Sequence, residues 1–274
     1  MLPDGAGRLV VCPTPIGNLG DITLRALEAL RAANAIACED TRRTKVLLER
    51  YEIPGKLVSF HEHNEDARAG QLIERIEGGE RVVLVSDAGT PLVSDPGYSL
   101  VRACLERGLE LEVLPGASSV TTALVASGLP AQRWRFVGFL PRKRGELERV
   151  LGESGETLVA FESPGRVAAT LGTLAALDPD RGAAVCRELT KLHEEVRRGS
   201  AAGLAAHYAE NPPRGEIVLV VGAAPAISVD RGQALAAVQA LIDAGARSRP
   251  AAGVVAGLTG VSANELYRAL TEEP

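Results

Sequence analysis

Arg81-Val82-Val83-Leu84-Val85-Ser86-Asp87-Ala88-Gly89-Thr90-Pro91-Leu92-Val93-Ser94-Asp95-Pro96-Gly97 is the stretch on which the reading of this chain turns. After Arg81, Val82 to Val85 form a short apolar run with three β-branched valines, which predicts a buried strand over Arg81–Val85. The twelve that follow alternate Gly, Pro, Asp and Ser, the residues of fixed turns. Asp95 is placed to cap a helix whose first position is Pro96, where a missing N–H costs nothing. Leu100, Val101, Cys104 and Leu105 then recur at helical spacing, and Gly108 closes the helix. Strand, polar loop and helix in that order put the loop at the C-terminal edge of an open sheet, where α/β proteins hold ligands.

The same unit repeats on both sides. Upstream, Leu9 to Cys12 is an apolar run ended by Pro13, and a helix from Asp21 through Ala33 carries Leu24, Leu27 and Leu30. Strands are expected at Ala35–Cys38 and Lys56–Phe60, with a helix around Val46 to Leu48 between them. Ala69, Leu72, Ile73 and Ile76 mark a helix from Asn64, stopped at Gly78-Gly79. Downstream, a strand at Leu111–Leu114 leads into Pro115-Gly116-Ala117-Ser118-Ser119 and a helix to Ser127. The pattern then restarts, with strands at Trp134–Phe139, Thr157–Phe161, Ala183–Glu188 and Glu216–Val221. The expectation is two α/β domains, 1–116 and 117–228, built on largely parallel sheets with helices on their faces.

Residues 229–274 carry no strand pattern. Leu235, Val238, Leu241 and Ile242 predict one helix, ended by Gly245, and Pro250–Leu258 and Ser262–Leu270 predict two more. Gly260 between the last two gives helix-turn-helix spacing, and Ser262 with Glu265 forms a capping box. Only Asn264, Glu265 and Arg268 could read bases there. A small interaction or RNA-docking appendage therefore fits better than a DNA reader.

Composition narrows the function classes. Aromatics are 3% of the chain, so Ala, Val and Leu must build the core. The N-terminus lacks a basic segment followed by a long apolar run, and no window approaches the roughly 18 apolar residues of a membrane span. Cys12, Cys38, Cys104 and Cys186 are far apart in apolar runs and read as small buried hydrophobes of a reducing, cytoplasmic compartment. A net charge of −5 argues mildly against a nucleic-acid partner. Local clusters oppose it: Arg42-Arg43-Thr44-Lys45, Arg142-Lys143-Arg144, Arg197-Arg198 and Arg247-Ser248-Arg249 are each a phosphate contact or a solvated face.

Three loops after strands share unusual turn chemistry: Pro13 to Asp21, Ser86 to Gly97, and Pro115 to Ser119. The first has GxxG rather than a dinucleotide GxGxxG and is weak alone. Three in corresponding places predict a ligand crevice.

Several strings carry a family resemblance: the Thr14-to-Asp21 loop, Ala37-Cys38-Glu39-Asp40-Thr41-Arg42, Ser59-Phe60-His61-Glu62-His63-Asn64-Glu65 and the Ser86-to-Gly97 loop. They continue in Gly138-Phe139-Leu140-Pro141-Arg142-Lys143, Phe161-Glu162-Ser163-Pro164 and Arg187-Glu188-Leu189-Thr190-Lys191. On these the chain resembles the tetrapyrrole-methylase superfamily, in its branch acting on small-subunit ribosomal RNA, over nearly its whole length. Two positions depart from that branch: Gly165 stands where His is usual, and Pro115-Gly116-Ala117-Ser118 replaces Pro-Gly-Pro-Ser.

The resemblance implies S-adenosyl-L-methionine in a cleft between the two domains. It implies contacts from Pro15, Gly17, Asp87, Ala88, Gly89, Thr90, Ser118 and Ser119, and from Glu162, Leu189 and Glu216. It further implies 2′-O-methylation of a decoding-centre cytidine of 16S ribosomal RNA in the assembled small subunit, by a homodimer. For the proton of the ribose hydroxyl, Glu39, Asp40, His61, His63, Glu188 and Lys191 are the candidates, none singled out. Arg42, Arg43, Arg142, Lys143, Arg144, Arg247, Arg249 and Arg268 are the candidate RNA contacts. His61 and His63 could share a strand face as metal ligands, but methyl transfer needs no Lewis acid, so no metal is expected. Glu39-Asp40 with Arg42 reads equally as an ion pair at a helix start, and His193-Glu194-Glu195 as a solvated helix face. Two other functions compete: methylation of a small tetrapyrrole, disfavoured by the scarce aromatics, and non-enzymatic nucleic-acid binding through the tail, which leaves the loops without a purpose.

Overall fold

The three central strands of the first sheet, at residues 9–11, 35–38 and 82–85, are buried on both sides, as continuous apolar runs require, while the edge strands Leu57–Ser59 and Glu110–Val113 are only partly buried. The computed structural model describes residues 7–61, 63–153, 155–224 and 231–271. Glu62 and the expected boundary at 228–229 lie outside the described residues. The chain divides into two units, 1–223 and 224–274.

The first unit opens with alternating strands and helices: β1 (Arg8–Val11), α1 (Leu24–Arg31), β2 (Ala35–Cys38), α2 (Thr41–Arg50), β3 (Leu57–Ser59), α3 (Glu65–Glu77), β4 (Arg81–Val85), α4 (Tyr98–Glu106) and β5 (Glu110–Val113). All neighbours are parallel in the order β3-β2-β4-β1-β5. Alternate residues face opposite ways: Val10, Ile36 and Val83 pack on α1 and α2, while Leu9, Ala37 and Val82 pack on α3 and α4. The adjacent strands β4 and β1 connect onward in opposite directions, β1 to β2 and β4 to β5, which opens a crevice at their C-terminal ends.

Two helix starts differ from expectation. Residues 19–21 form a separate 3₁₀ turn, and α1 begins after Thr23, whose hydroxyl accepts from Ala26 N at 3.1 Å. Asp95 does not cap α4. That helix begins at Tyr98, and the cap comes from Glu65 on α3, whose Oε1 accepts from Gly97 N, Ser99 N and Ser99 Oγ at 3.1, 2.8 and 2.8 Å. A carboxylate brought in from another helix satisfies the orphan N–H groups, so Pro96 stays outside.

A second sheet follows in the same unit. It comprises α5 (Ser119–Ser127), β6 (Trp134–Phe139), α6 (Arg144–Gly152), β7 (Thr157–Glu162), α7 (Val167–Leu177), β8 (Gly182–Arg187), β9 (Glu195–Ser200), α8 (Ala201–Glu210) and β10 (Ile217–Val221). The order is β6-β7-β10-β8-β9, and only β6–β7 is parallel. The expectation of a largely parallel sheet fails here because β8 and β9 form a hairpin, which needs no helical crossover. His193 accordingly lies in the β8–β9 turn, and Glu195 in β9, rather than on a helix face. Leu158, Val185 and Leu219 pack on α6, α7 and α8. The opposite face, with Val159, Cys186 and Val218, packs on α5 and also takes in Ile16 from the loop after β1.

The second unit has α9 (Arg231–Asp243), α10 (Ser248–Thr259) and α11 (Ala263–Thr271) around its own core of Ala234, Val238, Ala252, Val255 and Leu266. Gly260 is left-handed at φ 75°, the tight turn expected of it, and Ser262 Oγ accepts from Glu265 N at 3.5 Å. The four cysteines are buried and free. Among the described residues, no helix is long and apolar enough to cross a membrane.

Candidate active site

The three loops meet at the crevice. Thr14 and Gly89 exchange backbone hydrogen bonds of 2.9 and 3.0 Å, and Thr14 Oγ1 donates to Ser86 O at 3.0 Å. Thr90 Oγ1 donates to Ala117 O at 3.3 Å. Gly116 lies so close to Pro13 that a Cβ there would come within 2.6 Å of the ring. The loops after β1, β4 and β5 therefore form one surface, fixed by backbone bonds that depend on small side chains.

A cavity of about 450 Å3 opens over that surface. Asp87, Ala88, Gly89, Thr90, Ser118 and Ser119 form one side. Glu162, Leu189 and Glu216 lie on the other, on the second sheet. These nine expected contacts come together; Pro15 and Gly17 do not line the cavity, and Gly17 packs behind it against the loop after β8. The Glu162 carboxylate is engaged within the protein: Oε2 accepts from Thr170 Oγ1 at 2.6 Å, and Oε1 accepts from Ser163 N at 2.7 Å and faces Arg166 at 3.3 Å.

Strain concentrates around the cavity. Leu92, Ser94, Glu188 and Thr190 hold φ of 71°, 66°, 49° and 64°, and among the described residues only Glu52 is another non-glycine with positive φ. A β-branched Thr in this region is costly and persists only where its surroundings over-determine it. Thr190 Oγ1 is buried and finds no hydrogen-bond partner among the described residues.

Three carboxylates gather on the first-sheet side. Asp87 Oδ1 accepts from Asp40 N at 2.9 Å, and its Oδ2 lies 3.6 Å from Arg43 Nε. Asp95, freed from capping, lines the cavity; burial and then the charge of Glu39 push it up to about 7, with Ser86 opposing this and Asp87 adding least. Burial and Asp87 likewise raise Glu39, while Arg43 and His61 oppose this. Sequence reasoning missed Asp95 because an Asp before Pro at a helix start already had a structural use.

The six expected proton-handling candidates lie around the cavity rather than in its lining. Asp40 is the N-cap of α2: its Oδ1 accepts from Arg42 N at 2.8 Å, and it pairs with the Arg42 guanidinium, which holds it down at about 2. The structural side of the two open readings is realised there. His61 and His63 follow the end of β3, so the premise of a shared strand face does not hold; their rings meet edge-on at 6.0 Å. His61 Nε2 lies 3.1 Å from Asn64 Nδ2. Among the described residues no group of three His, Cys, Asp or Glu could hold a metal ion. Glu188 accepts from Glu216 N at 2.8 Å and from Lys191 Nζ at 2.9 Å, and the backbone bond first and Lys191 second lower it. Lys191 also meets Glu216 at 3.0 Å, so the three tie the β8 turn to the start of β10.

The cations divide by their partners. Arg43 lines the cavity and Arg142 is exposed with no ion pair among the described residues. Lys143 and Arg144 pair along α6 with Glu146 and Glu148. In the second unit Arg247 precedes α10, and Arg249 lies over the ring of Tyr267 at 5.8 Å, the residue before Arg268 on α11. Arg198, also read as a phosphate contact, donates to Ala126 O.

Strand ends, crevice and cavity define an α/β ligand-binding fold of a known kind. Residues 8–205 match the family model described as Tetrapyrrole (Corrin/Porphyrin) Methylases, and the chain belongs to that family. The matched span lies within the first unit. Its relatives include proteins named Ribosomal RNA small subunit methyltransferase I. One, from Micromonospora olivasterospora, is 46% identical over 96% of this chain and 86% of its own length. Another, from Mesorhizobium japonicum, is 47% identical over 96% and 91%. A third, from Thermotoga maritima, is 43% identical over 78% of this chain and 98% of itself. Among solved structures, uroporphyrin-III-C-methyltransferase from Thermus thermophilus is similar at 25% identity and a TM-score of 0.55, over 79% of this chain and 94% of that one. A diphthine synthase shares the fold at 19% identity and a TM-score of 0.61, over 79% and 90%.

Proposed function

We propose that this protein is an S-adenosyl-L-methionine-dependent methyltransferase that methylates the ribose 2′-oxygen of a decoding-centre cytidine of 16S ribosomal RNA, acting on the small subunit in the cytoplasm. Identity above 40% over most of the chain to relatives bearing the ribosomal name carries the choice of substrate. Two solved uroporphyrin-III-C-methyltransferase structures from Thermus thermophilus share the fold at 25% and 22% identity.

The residues present fit the cofactor. A cavity of about 450 Å3 is in the range of small-molecule sites, mostly apolar with a few convergent polar groups. Ile16, Val120, Leu189 and Val218 supply apolar walls. Gly89 lets the backbone approach. At the start of α5, Ser118 makes no capping bond, so the first N–H groups and the positive helix end are available to a carboxylate. When bound, S-adenosylmethionine supplies an electrophilic sulfonium methyl. Holding a hydroxyl in line with such a methyl can contribute roughly 7–11 kcal/mol. Asp95 accepts the hydroxyl proton: it faces the cavity, and a carboxylate near 7 is matched to proton transfer at neutral pH. Burial first, and then the charge of Glu39, keeps it from ionising too readily, while Arg43 sits beside Asp87.

In this reading residues 1–116 and 117–228 act as the two walls of the cofactor cleft, residues 229–274 dock RNA, and the protein works as a homodimer. The test is transfer of labelled methyl to isolated small ribosomal subunits, naked 16S RNA and a porphyrinogen. Label is expected on the subunits at the ribose; label on the porphyrinogen alone would sink the proposal.

A further inference from the structure

Phe139 is 64% exposed on the rim of the cavity, in a chain with four phenylalanines. A break in strand register puts it there. β6 pairs Phe136 with Val159 but Phe139 with Phe161, so three steps along β6 match two along β7. Gly138, at φ 65°, absorbs the extra residue. Strand side chains alternate, so without this bulge Phe139 would face the helices α6–α8 instead. With it, Phe136, Phe161 and Phe139 share one side, ring centroids 5.0 and 5.4 Å apart, edge to face. The inner two are half-buried against the cavity-side core, and the outer face of Phe139 is open.

The segment just after it is held firmly. Arg166 donates to Leu140 O at 3.1 Å and Pro141 O at 2.6 Å, and is itself anchored by the buried Glu162 carboxylate at 3.3 Å. Leu140 is buried beneath. Arg142, three residues beyond Phe139, is exposed and free of carboxylates among the described residues. An open aromatic face with an exposed guanidinium three residues further on, at the mouth of a cavity, has the chemistry of a single nucleotide grip: a base stacks on the ring and a phosphate meets the cation.

We infer that Phe139 is a specificity-determining residue that stacks an unpaired base of the RNA substrate at the cavity mouth, with Arg142 on the neighbouring phosphate. The inference rests on the proposed RNA substrate. Taking a base out of its stack exposes the ribose edge, and a fixed ring offsets the lost stacking.

The experiment compares wild type with Phe139→Ala, Phe139→Leu, Phe139→Tyr and Arg142→Gln. It follows labelled methyl transfer to isolated small ribosomal subunits, with S-adenosylhomocysteine affinity measured by calorimetry on each. Phe139→Ala should lower kcat/KM roughly 5- to 150-fold, the range of one base–aromatic stack. Phe139→Leu should fall equally, because it keeps volume but not a π face, and Phe139→Tyr should recover most of the loss. Arg142→Gln should raise KM and flatten its salt dependence. Cofactor affinity should stay constant throughout. A fully active Phe139→Leu, an indifferent Phe139→Ala, or a matching loss of S-adenosylhomocysteine affinity would each overturn the stack. Wild-type enzyme that labels a porphyrinogen and no subunit would instead refute the substrate reading beneath it.

Discussion

A Cβ on Gly17 would stand 2.4 Å from Lys191 Cγ, 2.9 Å from Thr190 Oγ1 and 3.1 Å from Leu189 O. The loop after β1 and the turn after β8 thus touch at a point with no room for a methyl group. Leu189 lines the cavity, so the contact sets how that wall closes. Gly17→Ala should cost about 1–3 kcal/mol, the range of overpacking, and weaken cofactor binding. Urea denaturation with calorimetry checks both; a variant unchanged in each would show that the loops can part without consequence.

Gly89 holds φ 84°, and a Cβ there would lie 3.3 Å from Ile16 Cγ2. Gly89→Val therefore strains the backbone and intrudes on the cavity floor together. Cofactor affinity is expected to drop more than tenfold while the far-ultraviolet circular dichroism stays native. Asp87→Ala, which strands Asp40 N, should weaken binding as well. Retained affinity in both variants would move the cofactor elsewhere.

Asp95 gives a pH dependence of definite sign. Its ordinary value is 3.8, and the fold raises it to about 7. Between those values the folded chain holds a proton that the unfolded chain releases, so this group's contribution to stability is present below pH 4 and lost as pH rises through 7. Asp95→Asn should match wild type in Tm at pH 4 and exceed it at pH 8. As proton acceptor, the same side chain should give a rate that climbs to a plateau above pH 7. Asp95→Asn should remove that inflection and about two to four powers of ten in kcat. A wild-type profile flat from pH 5 to 9 would assign the proton to another group.

Glu65 supports α4 at a distance. Glu65→Ala leaves Gly97 N and Ser99 N without their acceptor, and a lost cap costs about 0.5–2 kcal/mol. The loop from Leu92 to Gly97 should loosen with it. Hydrogen exchange at Gly97 and Ser99 should rise well above that of α1; equal protection would mean that solvent caps the helix as well as Glu65 does.

The second unit has its own core and lies outside the family-matched span. Removing residues 224–274 should leave S-adenosylhomocysteine affinity unchanged and weaken binding to small ribosomal subunits severalfold. An equal loss for both ligands would tie this unit to the cofactor cleft.

Local chemistry made the first half readable. Apolar runs such as Val82–Val85, helix stripes such as Leu72, Ile73 and Ile76, and the turn residues of the loops each depend on neighbours in sequence, whereas the nine cavity-lining residues are expected there only through the family resemblance. The second sheet was less legible: β9, Glu195–Ser200, is polar along much of its length, and its pairing with β8 is a choice between strands rather than a property of either. Tertiary structure alone decided three further things. Glu65 took the capping place of Asp95, because an acceptor from α3 satisfies α4 from outside the local sequence. Asp95 was thereby left facing the cavity among other carboxylates, where desolvation rather than residue type sets its proton affinity. A single extra residue in β6 turned Phe139 from the helical face to the cavity rim, and register is fixed only by the strand alongside. Periodicity and turn chemistry are written into the chain residue by residue, whereas partners, faces and electrostatic surroundings exist only once distant segments meet.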